Sequence, residues 1–130
     1  MNTKNELQDQ INCIFSEMEN LLEKSQNYDS AISDQAITEL IEMPLEIKYR
    51  SGWSHNPEQL EVSEMAIVLT VGGPHIELIC QVQNGRILDA EFRGCWWSEW
   101  YHFVPEGVKP DTFDQVCSDF VNFFLEGVAI

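Results

Sequence analysis

From Leu7 to Leu22 the apolar residues return every three or four positions. Leu7, Ile11, Ile14, Phe15, Met18, Leu21 and Leu22 fall on one face of a helix. Thr3 followed by Glu6 has the spacing of a capping box, in which hydroxyl and carboxylate each satisfy a free backbone N–H. The opposite face carries Glu6, Asp9, Glu17 and Glu23, with Lys24 the one nearby base. A second, shorter helix is expected from Ser33 to Met43, with Ala36, Ile37, Leu40 and Ile41 as its apolar side and Pro44 ending it. Ser51 to Pro57 reads as a loop.

Beyond Pro44 the period changes from helical to alternating. Glu46 to Arg50 is a weak strand pattern, and Met65 to Val71 is a strong one, rich in β-branched residues. Gly72-Gly73-Pro74 turns the chain into a strand over His75 to Val82, and Asn84-Gly85 turns it again into Ile87 to Arg93. A two-residue loop at Asn84-Gly85 sets Cys80, Leu78 and Ile76 opposite Asp89, Glu91 and Arg93. A three-residue loop, Gln83-Asn84-Gly85, with Gly85 left-handed beside a bulge, sets Cys80 opposite Leu88, Leu78 opposite Ala90 and Ile76 opposite Phe92. A one-residue slip exchanges the two faces, so burial selects the three-residue loop. The same register sets Glu77 opposite Glu91, with Asp89 beside them. Like charges so opposed cost roughly 0.2–1 kcal/mol. Either a solvated outer sheet face or a basic partner docking there accounts for them.

Three tryptophans lie within Trp96 to Trp100. Read as one strand, this segment places Trp96, Ser98, Trp100 and His102 on one face and Trp97, Glu99, Tyr101 and Phe103 on the other. Both faces cannot be equally buried in a small domain, which leaves an aromatic corner or a partner-binding hot spot. A last helix is expected from Thr112 to Glu126. Asp111 is its N-cap, Phe113, Val116, Cys117, Phe120 and Phe124 are its core face, and Gly127 is its stop. The pattern as a whole predicts one α+β domain over residues 1–130. Its parts are a helical region (1–44), an antiparallel sheet of three to five strands (45–104) and a C-terminal helix (110–127), with the helices packed on one face of the sheet.

Charge changes this picture more than composition does. Twenty-two acids against seven bases give −15, spread as −7 over residues 1–44, −4 over 45–104 and −4 over 105–130. No terminal acidic run absorbs it, so the folded surface is itself negative. Such a surface repels nucleic acid and anionic membrane and attracts basic partners. Lys48, Arg50, Arg86 and Arg93 are the bases from which a local positive patch would have to be built, and acids surround them. The N-terminus lacks a secretory pattern, no run reaches the ~20 apolar residues of a membrane span, and a cytoplasmic chain is expected. Cys13, Cys80, Cys95 and Cys117 are widely spaced and read as reduced thiols. His55, His75 and His102 have no zinc-ligand spacing, so neither metal nor cofactor is expected. No phosphate-binding, nucleotide or nucleophile-elbow motif is present. Glu99 and His102 are the nearest approach to an acid–base pair, and no catalytic residue is assigned.

One segment carries a resemblance. Ile67 to Thr70, Val71-Gly72-Gly73-Pro74, Ile76 to Val82, Asn84-Gly85, Ala90-Glu91-Phe92 and the tryptophans of Trp96 to Trp100 resemble a group of small proteins from bacterial phages and mobile elements. That group shares a strand, Thr-Gly-Gly-Pro, strand, turn, strand, tryptophan pattern and has no established activity. The match departs at Arg93 to Trp97, where the group has a more polar stretch. In general character a small acidic phage-type protein is similar to anti-CRISPR and anti-restriction inhibitors. The resemblance implies a stoichiometric inhibitor in a bacterial host cell, occupying a basic, nucleic-acid-binding surface on a defence protein such as a CRISPR effector subunit or nuclease. It would contact no nucleic acid and no membrane directly. An immunity protein against a basic nuclease toxin is the alternative, and a small enzyme near Glu99 and His102 a more distant one. The expected contact residues are Glu77, Asp89, Glu91, Trp96, Trp97, Glu99, Trp100 and Tyr101. Whether the chain also dimerises through its tryptophans is left open.

Overall fold

A computed structural model describes residues 3–59, 61–71, 74–96 and 99–125; the side chains of Thr3, Lys4, Gln59 and Trp96 fall outside the description. Two helices, α1 (Thr3–Lys24) and α2 (Ser30–Glu42), precede five strands: β1 (Glu46–Ser51), β2 (Val62–Thr70), β3 (His75–Gln83), β4 (Arg86–Trp96) and β5 (Glu99–Phe103). A last helix, α3 (Pro110–Leu125), closes the chain. The sheet runs β1-β2-β3-β4-β5 with every neighbouring pair antiparallel, an α+β meander.

One face of this sheet meets the helices. Leu7, Ile11, Phe15 and Met18 of α1 and Phe113, Cys117 and Phe120 of α3 pack against alternate residues of the central strands, among them Ile67, Leu78, Cys80 and Phe92. Phe15, Phe92 and Phe113 form an aromatic triangle with centroids 5.7–6.5 Å apart. Gly94 stands where β4 passes beneath α1. A Cβ there would lie 3.1 Å from both Leu7 and Phe103, so the missing side chain lets the helix approach. No helix among the described residues is long and apolar enough to cross a membrane.

Four local expectations are corrected. α2 begins at Ser30 rather than Ser33, because Asp29 caps it by accepting from the Ala31 N–H at 2.9 Å. α3 begins at Pro110, and Phe113 N already bonds Lys109 O, so Asp111 lies within the first turn and is not the N-cap. The Trp96 to Trp100 segment is not one strand. β4 ends at Trp96, which pairs with Glu99, and Cys95 pairs with Trp100, so the chain reverses there and both strands of a hairpin share the aromatic run.

The fourth correction concerns the Asn84-Gly85 turn. Both residues have positive φ (53° and 72°), the signature of a two-residue type I′ loop, and Gln83 pairs directly with Arg86. Gly85 is left-handed as expected, but the loop has two residues and not three. The register then slips at Leu88: Val82 pairs with Ile87 and Gln81 with Asp89, leaving Leu88 unpaired and exposed. That bulge restores what the tight loop alone would break. Cys80 now faces Ala90, Leu78 faces Phe92 and Ile76 faces Gly94. Each partner lies two residues beyond the expected one, which preserves the buried face. The capping box cannot be followed at Thr3, whose side chain is outside the description, as are Gly72, Gly73 and Gly127.

Candidate functional site

The bulge decides the electrostatics of the sheet's other face. Glu77 lies opposite Arg93, and Glu91 lies opposite Ile79, so the expected opposition of two glutamates does not exist. Glu77 is only 5% exposed. His75 Nε2 stands 3.2 Å from its Oε2, and Arg93 Nη2 stands 3.9 Å from its Oε1. An ionised carboxylate only accepts, so Nε2 carries the hydrogen in that bond. Trp100 covers the pair from β5. The Arg93 guanidinium lies 5.0 Å from the Trp100 ring centroid, and the His75 and Trp100 ring centroids are 5.4 Å apart with the rings 77° from coplanar. One row further out, His102 Nδ1 is 3.1 Å from Glu91 Oε2. At the β1 side Glu64 receives Arg50 and Gln81, each at 2.9 Å.

This network explains how a carboxylate can be buried on a face that no helix among the described residues covers. Removing an ion from water costs several kcal/mol and is offset only where opposite charge and hydrogen bonds replace the water. Arg93 and His75 supply both to Glu77. Arg93 Nε itself is buried without a hydrogen-bond partner, so the guanidinium is held by charge and stacking rather than by a full set of bonds.

The helical layer is organised differently. The described acids of α1, α2 and α3 form no ion pair among the described residues; the ion pairs belong to Glu64, Glu77 and Glu91 of the sheet. Residues 3–44 hold nine acids and two bases, and residues 105–125 hold four acids and one base, which gives −7 and −3. Several of these acids also repel one another along their own helix: Glu19 with Glu23, Glu39 with Glu42, and Asp111 with Asp114 are three or four residues apart. Between them α2 exposes Ile32 and Ile41.

The expected contact residues are therefore divided between faces. Asp89, Glu91 and Trp100 lie on the helix-free side, with Trp100 44% exposed. Glu77 lies beneath them and presents no carboxylate outward. Glu99 and Tyr101 alternate to the helix side of β5, where the Tyr101 hydroxyl donates to the Glu99 carboxylate. That bond raises the Tyr101 pKa above its ordinary 10.0, with smaller contributions from burial and from the Glu99 charge. Glu99 and His102 consequently face apart, and His102 takes Glu91 instead. Trp96 is placed by its backbone pairing alone, and Trp97 lies outside the described residues.

The four cysteines form no disulfide. Cys13 is exposed, whereas burial pushes the Cys80 thiol up to about 12, with the Asp89 charge adding, and pushes Cys117 up as well. No cluster of His, Cys, Asp or Glu with metal-binding geometry occurs among the described residues. Sequence reasoning missed His75, Arg93 and the fully exposed Trp53 in the loop after β1. His75 and Arg93 were visible only as isolated residues until the register joined them. Comparison with family models, curated proteins and solved structures finds no match to this chain.

Proposed function

We propose that the protein acts by stoichiometric binding, its helical layer offering carboxylates to an Arg- and Lys-rich, nucleic-acid-binding surface on a host defence protein. The reading follows the anti-CRISPR-like character of the sequence but moves the contact surface from the sheet to the helices. One observation carries it: most of the helix acids are exposed, several are spaced to repel one another, and none forms an ion pair among the described residues, while Glu64, Glu77 and Glu91 of the sheet already have partners inside the molecule. Unpaired charge that destabilises its own fold finds its compensation in a basic partner. Ile32 and Ile41 add apolar ground among those acids, of the kind that a partner's core contacts cover. An immunity protein against a basic nuclease toxin uses the same chemistry, and the identity of the partner separates the two.

The test is capture from a host lysate with tagged wild-type chain and with a variant carrying Asp34→Asn, Glu39→Gln and Glu42→Gln, followed by identification and kinetics with the purified partner. The expected partner has a basic nucleic-acid-binding surface. Its association rate with the wild type should fall steeply as salt rises, and the variant should associate at least ~10-fold more slowly, as electrostatic steering requires. Salt-independent association, or equal rates for the two chains, contradicts the reading.

A further inference from the structure

An edge strand presents unpaired backbone groups to anything that can add to it. At the β5 side the departing chain is tied to α1: Gln8 Nε2 donates to Val104 O, and Asn12 Oδ1 accepts from Glu106 N, each at 3.0 Å. β1 has no such tie among the described residues. Its side-chain bonds run inward to β2, from Arg50 to Glu64 and from Ser63 to Arg50 O. Apolar surface is also left open along this edge, with Leu45 60% and Tyr49 44% exposed. Glu46, Lys48 and Arg50 sum to +1 here, in a chain of −15. Two such chains repel at long range, so any contact between copies is confined to places where the local sign permits it.

We infer that β1 pairs with β1 of a second copy, antiparallel, about a twofold axis at Ile47. The register follows from charge and alternation. Half-step registers mix the two faces and are excluded by the apolar residues. Of the whole-step registers, centring on Glu46 sets that glutamate against itself, centring on Lys48 sets that lysine against itself, and centring on Tyr49 sets Lys48 against Arg50. Centring on Ile47 sets Glu46 opposite Lys48 of the second copy, twice by symmetry, and Leu45 opposite Tyr49 likewise. Opposite charges and apolar pairs across a sheet both stabilise. A lysine on a lone edge discourages pairing, but in this register Lys48 becomes the partner of Glu46. The product is a continuous sheet spanning both copies, with both helical layers on one side and their carboxylates still outward. The inference does not depend on the proposed function, and salt acts on it in the opposite sense. Screening the repulsion between the acidic layers strengthens the dimer, whereas it weakens binding to a basic partner.

Sedimentation of the full chain at low and high salt tests this, with Lys48→Glu, Glu46→Lys, the two combined, and Trp100→Ala. Lys48 and Glu46 are exposed, so folding should persist, and circular dichroism checks it. The expected wild-type mass at high salt is twice 15.0 kDa. Either single charge change should return it to the monomer, the combined swap should restore the dimer, and Trp100→Ala should leave it unchanged. A wild-type monomer at both salts, a dimer that survives Lys48→Glu, or a combined swap that stays monomeric overturns the inference.

Discussion

The two sides of the sheet handle carboxylates in opposite ways. On the helix-free side Glu77 is buried, yet His75 and Arg93 reach it and Trp100 roofs the group. On the helical side most of the acids are exposed, none forms an ion pair among the described residues, and several are spaced to repel. The difference teaches that a net charge of −15 is not one property. One part of it is internal structure, neutralised where it sits, and the other part faces outward with no ion pair among the described residues. A carboxylate's contribution to stability therefore has a sign set by its neighbours, and the two groups should respond oppositely to removal.

The largest effect should come from the packing that underlies both sides. Phe92 lies on the helix side of β4 within the aromatic triangle, fully buried. Phe92→Ala should cost about 3–5 kcal/mol in urea unfolding. A cost under 1 kcal/mol would mean that the helices are not packed on this face.

Alkaline pH should act next most strongly, again from the helix side. The folded state holds the Cys80 and Cys117 thiols protonated above their ordinary 9.0, so the unfolded chain loses those protons first. Stability is then full below about pH 9 and falls as pH rises toward the Cys80 value of about 12. The slope is about 1.4 kcal/mol per pH unit for each thiol. Unfolding at pH 8 and pH 10 measures it, and Cys80→Ala should roughly halve the drop. A thiol titration of the native protein should find Cys13 alone reacting quickly.

Glu77→Gln sharpens the comparison directly. It leaves Arg93 and His75 without their carboxylate, and because Arg93 is about a third exposed the cost should be about 1–3 kcal/mol, below that of a fully buried pair. The half-exposed Glu91 should behave differently: Glu91→Gln should cost under about 1 kcal/mol, as surface pairs do. Equal costs at the two positions would erase the distinction between the buried and the surface carboxylate.

Much of this was legible in the sequence, and the two failures in the sheet lie in strand pairing, which composition does not encode. α1 follows its 3.6-residue apolar spacing, and the outward charge of the helices is readable from the same pattern. The Asn84-Gly85 turn announces itself, because few dipeptides adopt two positive φ angles. The bulge at Leu88 does not, since an extra residue in a strand has no composition of its own and shows only in the pairing. The two-residue loop and that slip together moved Glu77 from Glu91 to Arg93 and turned an apparent repulsion into an ion pair on a buried carboxylate. The β4–β5 hairpin was hidden because an aromatic run alternates equally well as one strand or as two. Asp29, by contrast, was a readable cap that lay four residues before the expected start of α2.

The claim that the helical charge is unbalanced can be measured without any partner, through the salt dependence of folding stability. Between about 10 mM and about 1 M NaCl the Debye length falls from about 30 to about 3 Å, which silences repulsion between exposed acids. Wild-type stability should rise across that range. The Asp34→Asn, Glu39→Gln, Glu42→Gln variant should start higher and rise less, while Glu77→Gln should start lower and rise as much as the wild type. A wild-type stability that does not change with salt, or a helix variant that rises as steeply as the wild type, contradicts the account.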